Sequence, residues 1–138
     1  MAPDPSVVRS LAVSAEDLVA ALEANTRDGP ETVLRATPPY SGRMRARLHV
    51  VQADGGDDET LHVAPERLVA DTAPPYPTPD DTADELRAGE ETTYSVERHR
   101  TYHERRVDEW RAEILDHVVE TVTVAAVDHE LTGSLLGP

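Results

Sequence analysis

The chain has no cysteine, no lysine and no phenylalanine, and Ile114 is its only isoleucine. Without cysteine there is no disulfide framework and no thiolate chemistry. No run approaches the eighteen or so consecutive apolar residues that a membrane-spanning helix needs, and no basic segment leads into an apolar one at the amino terminus, so neither a membrane span nor a secretory signal is expected. A Gly-x-Ser-x-Gly elbow, a phosphate-binding glycine loop and a dinucleotide fingerprint are all missing. Gly55-Gly56 reads as a turn. These absences leave a chain expected in the cytoplasm, with no catalytic signature and no implied cofactor.

Charge is what the chain has in excess. It carries 27 acidic residues against 13 basic ones, all arginine, for a formal net charge of -14. Self-repulsion at this density opposes a compact state in dilute buffer. In molar salt the Debye length falls to roughly 3 Å and the repulsion is screened, so the composition points to a salt-rich interior. A disordered acidic tail would show few aliphatic residues and no periodicity. Here 38% of residues are hydrophobic and several segments are periodic. At 138 residues one folded domain over 1–138 is expected.

Ser14 can cap a first helix carrying Leu18, Val19 and Leu22, with Val13 and Leu18 as a hydrophobic staple and Asp28-Gly-Pro30 as its stop. Three strands forming a meander follow, at Thr32–Thr37, Arg43–Val51 and Glu59–Val63, with turns at 38–42 and 53–58. Pro65 opens a short helix. The prolines at 74, 75, 77 and 79 favour extended backbone, and Thr78-Pro-Asp-Asp81 starts a brief acidic helix ending near Gly89. Residues 71–93 thus read as a surface excursion. A long helix runs from the cap Ser95 to about Val118, with Val107, Trp110 and Ile114 on its apolar stripe. A hairpin over 120–136 closes the chain. The pattern predicts an α+β fold: one mostly antiparallel sheet with the first and the long helix on one face.

Alternation in the second strand places Arg43, Arg45, Arg47 and His49 on one side and Met44, Ala46, Leu48 and Val50 on the other. Guanidinium forks match phosphate and carboxylate oxygens, so these four residues form a candidate anion site. Pairing with acids such as Glu31, Glu59 or Glu120 across the sheet is the ordinary alternative, and the acids are numerous enough to favour it. The spacing His99-x-x-x-His103 puts two imidazoles on one helix face, a possible metal pair. Arg100 stands where a zinc protease carries glutamate, and no third ligand is fixed by spacing among Glu97, Glu104 and Asp108. Half-buried imidazoles bonded to neighbours beside Tyr94 and Tyr102 are the simpler reading. The acid pairs Asp57-Asp58, Asp80-Asp81 and Glu90-Glu91 read as charged surface. Pro38-Pro-Tyr40 and Pro74-Pro-Tyr76 could dock in a partner's aromatic groove, but within one domain they more often stiffen loops and let tyrosine pack over the core edge.

The segments Leu11-Ala-Val-Ser-Ala-Glu-Asp-Leu18, Thr37-Pro-Pro-Tyr-Ser-Gly-Arg-Met-Arg-Ala-Arg-Leu-His49 and His99-Arg-Thr-Tyr-His-Glu104, with the arginine-rich, lysine-free composition, resemble an uncharacterised haloarchaeal protein family. That resemblance implies a domain of unknown function and supplies no catalytic residues. The leading expectation is a non-catalytic accessory or regulatory module acting on a protein partner. The second is an anion- or nucleic-acid-binding module built on the arginine strand.

Overall fold

Ser14 closes a strand and caps a helix. In the computed structural model, which describes residues 4–27, 30–51, 60–89, 94–124, 127 and 129–136, β1 (Ser10–Ser14) runs directly into α1 (Ala15–Ala24). The expected cap forms: Asp17 N–H donates to Ser14 Oγ at 3.0 Å. The residues before it form a strand that was not expected. Leu11 and Val13, the latter expected as part of the helix's hydrophobic staple, are 1% and 3% exposed and alternate with half-buried neighbours as an inward-facing strand does. At the far end of α1, Asn25 Nδ2 donates to Thr32 O and Thr32 N–H donates to Asn25 Oδ1, both at 2.8 Å. One side chain therefore clips the helix to the next strand. Asp28 and Gly29 of the expected stop lie outside the described residues.

The fold is α+β, but its strands form two sheets instead of one mostly antiparallel sheet. The first has the order β3-β1-β7-β6, with β3 at Arg43–Arg45, β6 at Thr121–Val122 and β7 at Leu131–Leu136. In it β1 lies parallel to both β3 and β7, while β6 and β7 make the expected antiparallel hairpin. The second is antiparallel throughout, in the order β4-β2-β5, with β2 at Thr32–Ala36, β4 at Arg47–Val50 and β5 at Leu61–Val63. The expected strand Arg43–Val51 is thus divided at Ala46. That residue is 1% exposed and its N–H donates to Ala12 O at 2.9 Å, still bonded to the first sheet, while the next residue already pairs with β2.

A meander would put Arg43–Val51 at the centre of its sheet; β2 is there instead. The outer edge of β4 faces the start of α1, where Leu48 N–H donates to Asp17 Oδ2 at 3.2 Å. With that edge engaged, β5 adds to the other side of β2. The expected turn over 53–58 and Glu59 lie outside the described residues, as do Glu90, Glu91 and Asp128.

The chain divides into two compact units, one formed by Met1–Asp71 with His117–Pro138 and the other by Thr72–Asp116. The first holds both sheets and α1. Its fully buried side chains include Leu11, Leu18, Leu34, Leu61 and Leu131. The second begins in the proline-rich stretch and packs α2 (Pro79–Ala88) on α3 (Val96–Ile114). Asp81 N–H donates to Thr78 Oγ1 and Arg98 N–H to Ser95 Oγ, both at 3.1 Å, so the expected Ser95 cap forms and Thr78 caps the acidic helix. The α-helix ends at Ile114, followed by a 3-10 turn at Leu115–His117, several residues before the expected Val118. Tyr76 meets Trp110 edge-on at 4.8 Å between ring centroids, and Trp110 Nε1–H donates to Pro74 O at 3.0 Å. Here the Pro-Pro-Tyr segment stiffens a loop and packs its tyrosine within its own unit. Among the described residues no helix is long and apolar enough to cross a membrane.

Candidate functional site

The division at Ala46 separates the four residues of the expected anion site. Arg47 and His49 go to the second sheet, Arg43 and Arg45 to the first. Each pair gains neighbours that no spacing along the chain predicts.

In the second sheet Arg35, on the central strand, stands opposite Arg47 on one side and His62 on the other. His49 stands opposite Val33. Because Val51 N–H donates to Glu31 O at 2.8 Å, the alternation of an antiparallel ladder makes Arg47–Arg35 and His49–Val33 the hydrogen-bonded pairs, with side chains on a common face. That face therefore carries two arginines and two histidines. The His49 and His62 rings lie 5.6 Å apart between centroids, and Thr60 Oγ1 lies 2.9 Å from His62 Nε2. The opposite face carries Leu34, Leu48 and Val63. Leu34 and Val63 are 0% and 1% exposed, whereas Leu48, on the edge strand, is 37% exposed. Apolar residues do face the core side, as the alternation predicts, but the sheet edge leaves Leu48 and Val50 partly uncovered.

In the first sheet, Arg43 and Arg45 share a face with hydroxyl side chains. The register sets Arg43 beside Ser10, Ser10 beside Thr132, and Thr132 beside Thr121, a row across all four strands. The next row runs Arg45, Ala12, Ser134. Arg43, Arg45, Thr121, Thr132 and Ser134 are exposed. The face is rich in hydrogen-bond donors and free of aromatic side chains in these rows.

Arg43, Arg45 and Arg47 are exposed, and none of the three makes an ion pair with a described residue. Of the acids expected to pair with them, Glu31 and Glu120 do not, and Glu59 lies outside the described residues. Arg35 and His62 were not foreseen as site residues. The available signal was slight: one cationic residue set among apolar ones in Val33-Leu34-Arg35-Ala36 and in Leu61-His62-Val63.

In the second unit, His99 and His103 share a third residue. Thr82 is 0% exposed, and its Oγ1 lies 2.9 Å from His99 Nε2 and 2.9 Å from His103 Nδ1. The same hydroxyl is within 3.3 Å of Thr78 O and 3.2 Å of Pro79 O. A hydroxyl has one proton and two lone pairs. Each imidazole presents one ring nitrogen within hydrogen-bond distance of this buried hydroxyl, with the donor and acceptor roles set by the tautomers. Among the described residues no group of three histidine, aspartate or glutamate side chains is placed to hold a metal ion.

Beside this helix pair an open cleft of about 630 Å³ is lined by Glu85, Tyr102, Arg98 and Arg105, among others. Glu85 Oε1 accepts from Arg106 Nε–H at 2.9 Å and from the Tyr102 hydroxyl at 2.6 Å. The Arg106 bond, then the Tyr102 bond, hold the Glu85 carboxyl below its ordinary value of 4.5. The same carboxylate, as acceptor, raises the Tyr102 phenol above 10.0. A lowered carboxyl contributes stability that is present above its ordinary value and lost as pH falls through the folded one; a raised phenol contributes stability present below 10.0 and lost as pH rises through the folded value. Stability will therefore decline at both ends, and Glu85→Gln will flatten both declines. Urea midpoints measured from pH 2 to 11 in wild type and variant check this; identical profiles would refute it.

No curated protein and no solved structure matches the chain. A family model matches residues 1–133, and the chain belongs to that family, described as a domain of unknown function (DUF8009).

Proposed function

We propose that the chain is a non-catalytic accessory module that binds a ligand through its oxyanions, on the sheet face of Arg35, Arg47, His49 and His62. The observation that carries this reading is the register of Arg47 directly opposite Arg35, with His62 completing the row. Guanidiniums on adjacent strands can each fork the same bound oxyanion in charge-assisted bonds. The most reactive arrangements in the other unit have structural uses: Thr82 holds two imidazoles, and Glu85 holds Tyr102 and Arg106. The setting proposed is a salt-rich haloarchaeal cytoplasm, on account of the 27 acids, the 13 arginines and the lack of lysine.

Equilibrium binding of inorganic phosphate, at ionic strength fixed with KCl, tests the reading. Hydrogen bonds to charged groups contribute about 1.5–3 kcal/mol each, so Arg35→Gln with Arg47→Gln will weaken binding by about a hundredfold or more. Unchanged binding in a folded double variant would refute it.

A second reading, an accessory subunit held by a protein partner, draws on Leu48 and Val50, which are 37% and 41% exposed beside Arg47 on an edge strand. Interface cores favour such apolar residues with arginine. A stoichiometric partner recovered in high salt by wild type and lost with Leu48→Asp would promote it.

A further inference from the structure

The phosphate-binding reading accounts for Arg35 and Arg47 but leaves two more arginines just across the bend at Ala46. Arg43 and Arg45 are exposed, make no ion pair with a described residue, and sit two residues apart on one strand. Successive same-face residues of a strand are separated by about 6.7 Å, within reach of two long arginine side chains, so the pair can serve one phosphate between them or one each. A single phosphate on Arg35 and Arg47, in the second sheet, leaves this pair in the first sheet unused. Beside them lie Ser10 and Thr132, then Thr121 and Ser134, whose hydroxyls can each donate one hydrogen bond. Donors spread along these rows suit a ligand that repeats its oxyanion.

We infer that the ligand is a phosphodiester chain, whose successive phosphates engage Arg35 and Arg47 on the second sheet and Arg43 and Arg45 on the first. This rests on the oxyanion reading of the Arg35–Arg47 face. Charge complementarity selects the occupant: both faces offer guanidiniums and hydroxyl donors, and phosphate oxygens accept from both in bidentate or single bonds. The first-sheet rows contain no aromatic side chain on which a base could stack, so contacts there are to the backbone and carry no sequence preference. The chain's net charge of -14 repels a polyanion at long range. In the salt-rich setting proposed above that field decays over roughly 3 Å, so binding depends on these short-range bonds.

The test uses the full chain and a labelled single-stranded oligodeoxynucleotide, with anisotropy read across a KCl series. For single strands log K falls with log[salt] by about 0.7 per phosphate neutralised. Replacing Arg43→Gln and Arg45→Gln should thus make the slope shallower by about 0.7 if the pair shares one phosphate and about 1.4 if each takes its own. Taking the difference between two proteins of nearly equal charge cancels most of the background repulsion. The same variant should bind inorganic phosphate as wild type does, which also shows that it is folded. An unchanged slope, an oligonucleotide bound no more tightly than inorganic phosphate, or poly-glutamate bound equally well would each overturn the phosphodiester inference while leaving the phosphate site standing. Loss of phosphate binding from wild type itself would overturn both.

Discussion

Trp110→Ala will cost about 3–5 kcal/mol, the range for truncating a large buried aromatic side chain. Trp110 is 5% exposed and is the only tryptophan of the chain. Three contributions are lost together. The indole surface returns to water or leaves a cavity, the edge-to-face contact with Tyr76 disappears, and Pro74 O loses the donor that satisfies it. Domains of this size have only about 5–15 kcal/mol in hand, so the unit formed by Thr72–Asp116 should lose much of its cooperativity. Trp110→Phe separates the contributions: it keeps a ring against Tyr76 and removes the N–H, and should cost about 1–3 kcal/mol for the orphaned carbonyl. Because both variants abolish the intrinsic fluorophore, urea unfolding followed by far-ultraviolet circular dichroism is the appropriate measurement. A cost below about 1 kcal/mol for the alanine variant would show that the side chain is less enclosed than described.

Leu34→Ala should cost about 2–5 kcal/mol in the other unit. Leu34 is the midpoint of the central strand of its sheet, is 0% exposed, and stands between Leu48 and Val63 on the core side. α1 packs against the same strand. Its neighbours belong to a sheet pinned by Asn25 at one end and Asp17 at another, so little relaxation can fill the cavity. Leu48→Ala is the internal comparison. It removes the same atoms from the same face one strand away, but from a site 37% exposed, and should cost well under half as much. Equal costs would mean that the edge strand is as enclosed as the centre.

Much of the helical part of this fold was legible in the chain. Ser14 and Ser95 accept the expected capping bonds, and Thr78 caps the helix expected to start there, because a cap is a local arrangement written in three or four consecutive residues. The Trp110–Ile114 stripe is likewise local, and both residues are buried. What failed to show was long-range pairing. β1 is only five residues long and joins α1 without a turn, so the alternation of Leu11 and Val13 is too short to announce a strand apart from the helix start. Its two partners, β3 and β7, lie far away in sequence. The division at Ala46 was also hidden, since Arg43 to Val50 alternates without interruption and nothing local says that one half follows Ala12 and the other Arg35. The candidate site was half legible for the same reason. Arg47 and His49 could be named from their strand, whereas Arg35 and His62 become neighbours only through register. Thr82 as the companion of His99 and His103 depends on the packing of two helices, which no spacing within either one encodes.

The most direct test of the oxyanion site is a phosphate titration of the isotopically labelled chain, followed by nuclear magnetic resonance at ionic strength held constant with KCl. The predicted result is saturable shifts concentrated at Arg35, Arg47, His49 and His62, on three neighbouring strands, with one common dissociation constant. Shifts that fail to saturate, or that saturate elsewhere while these four residues stay still, would contradict it.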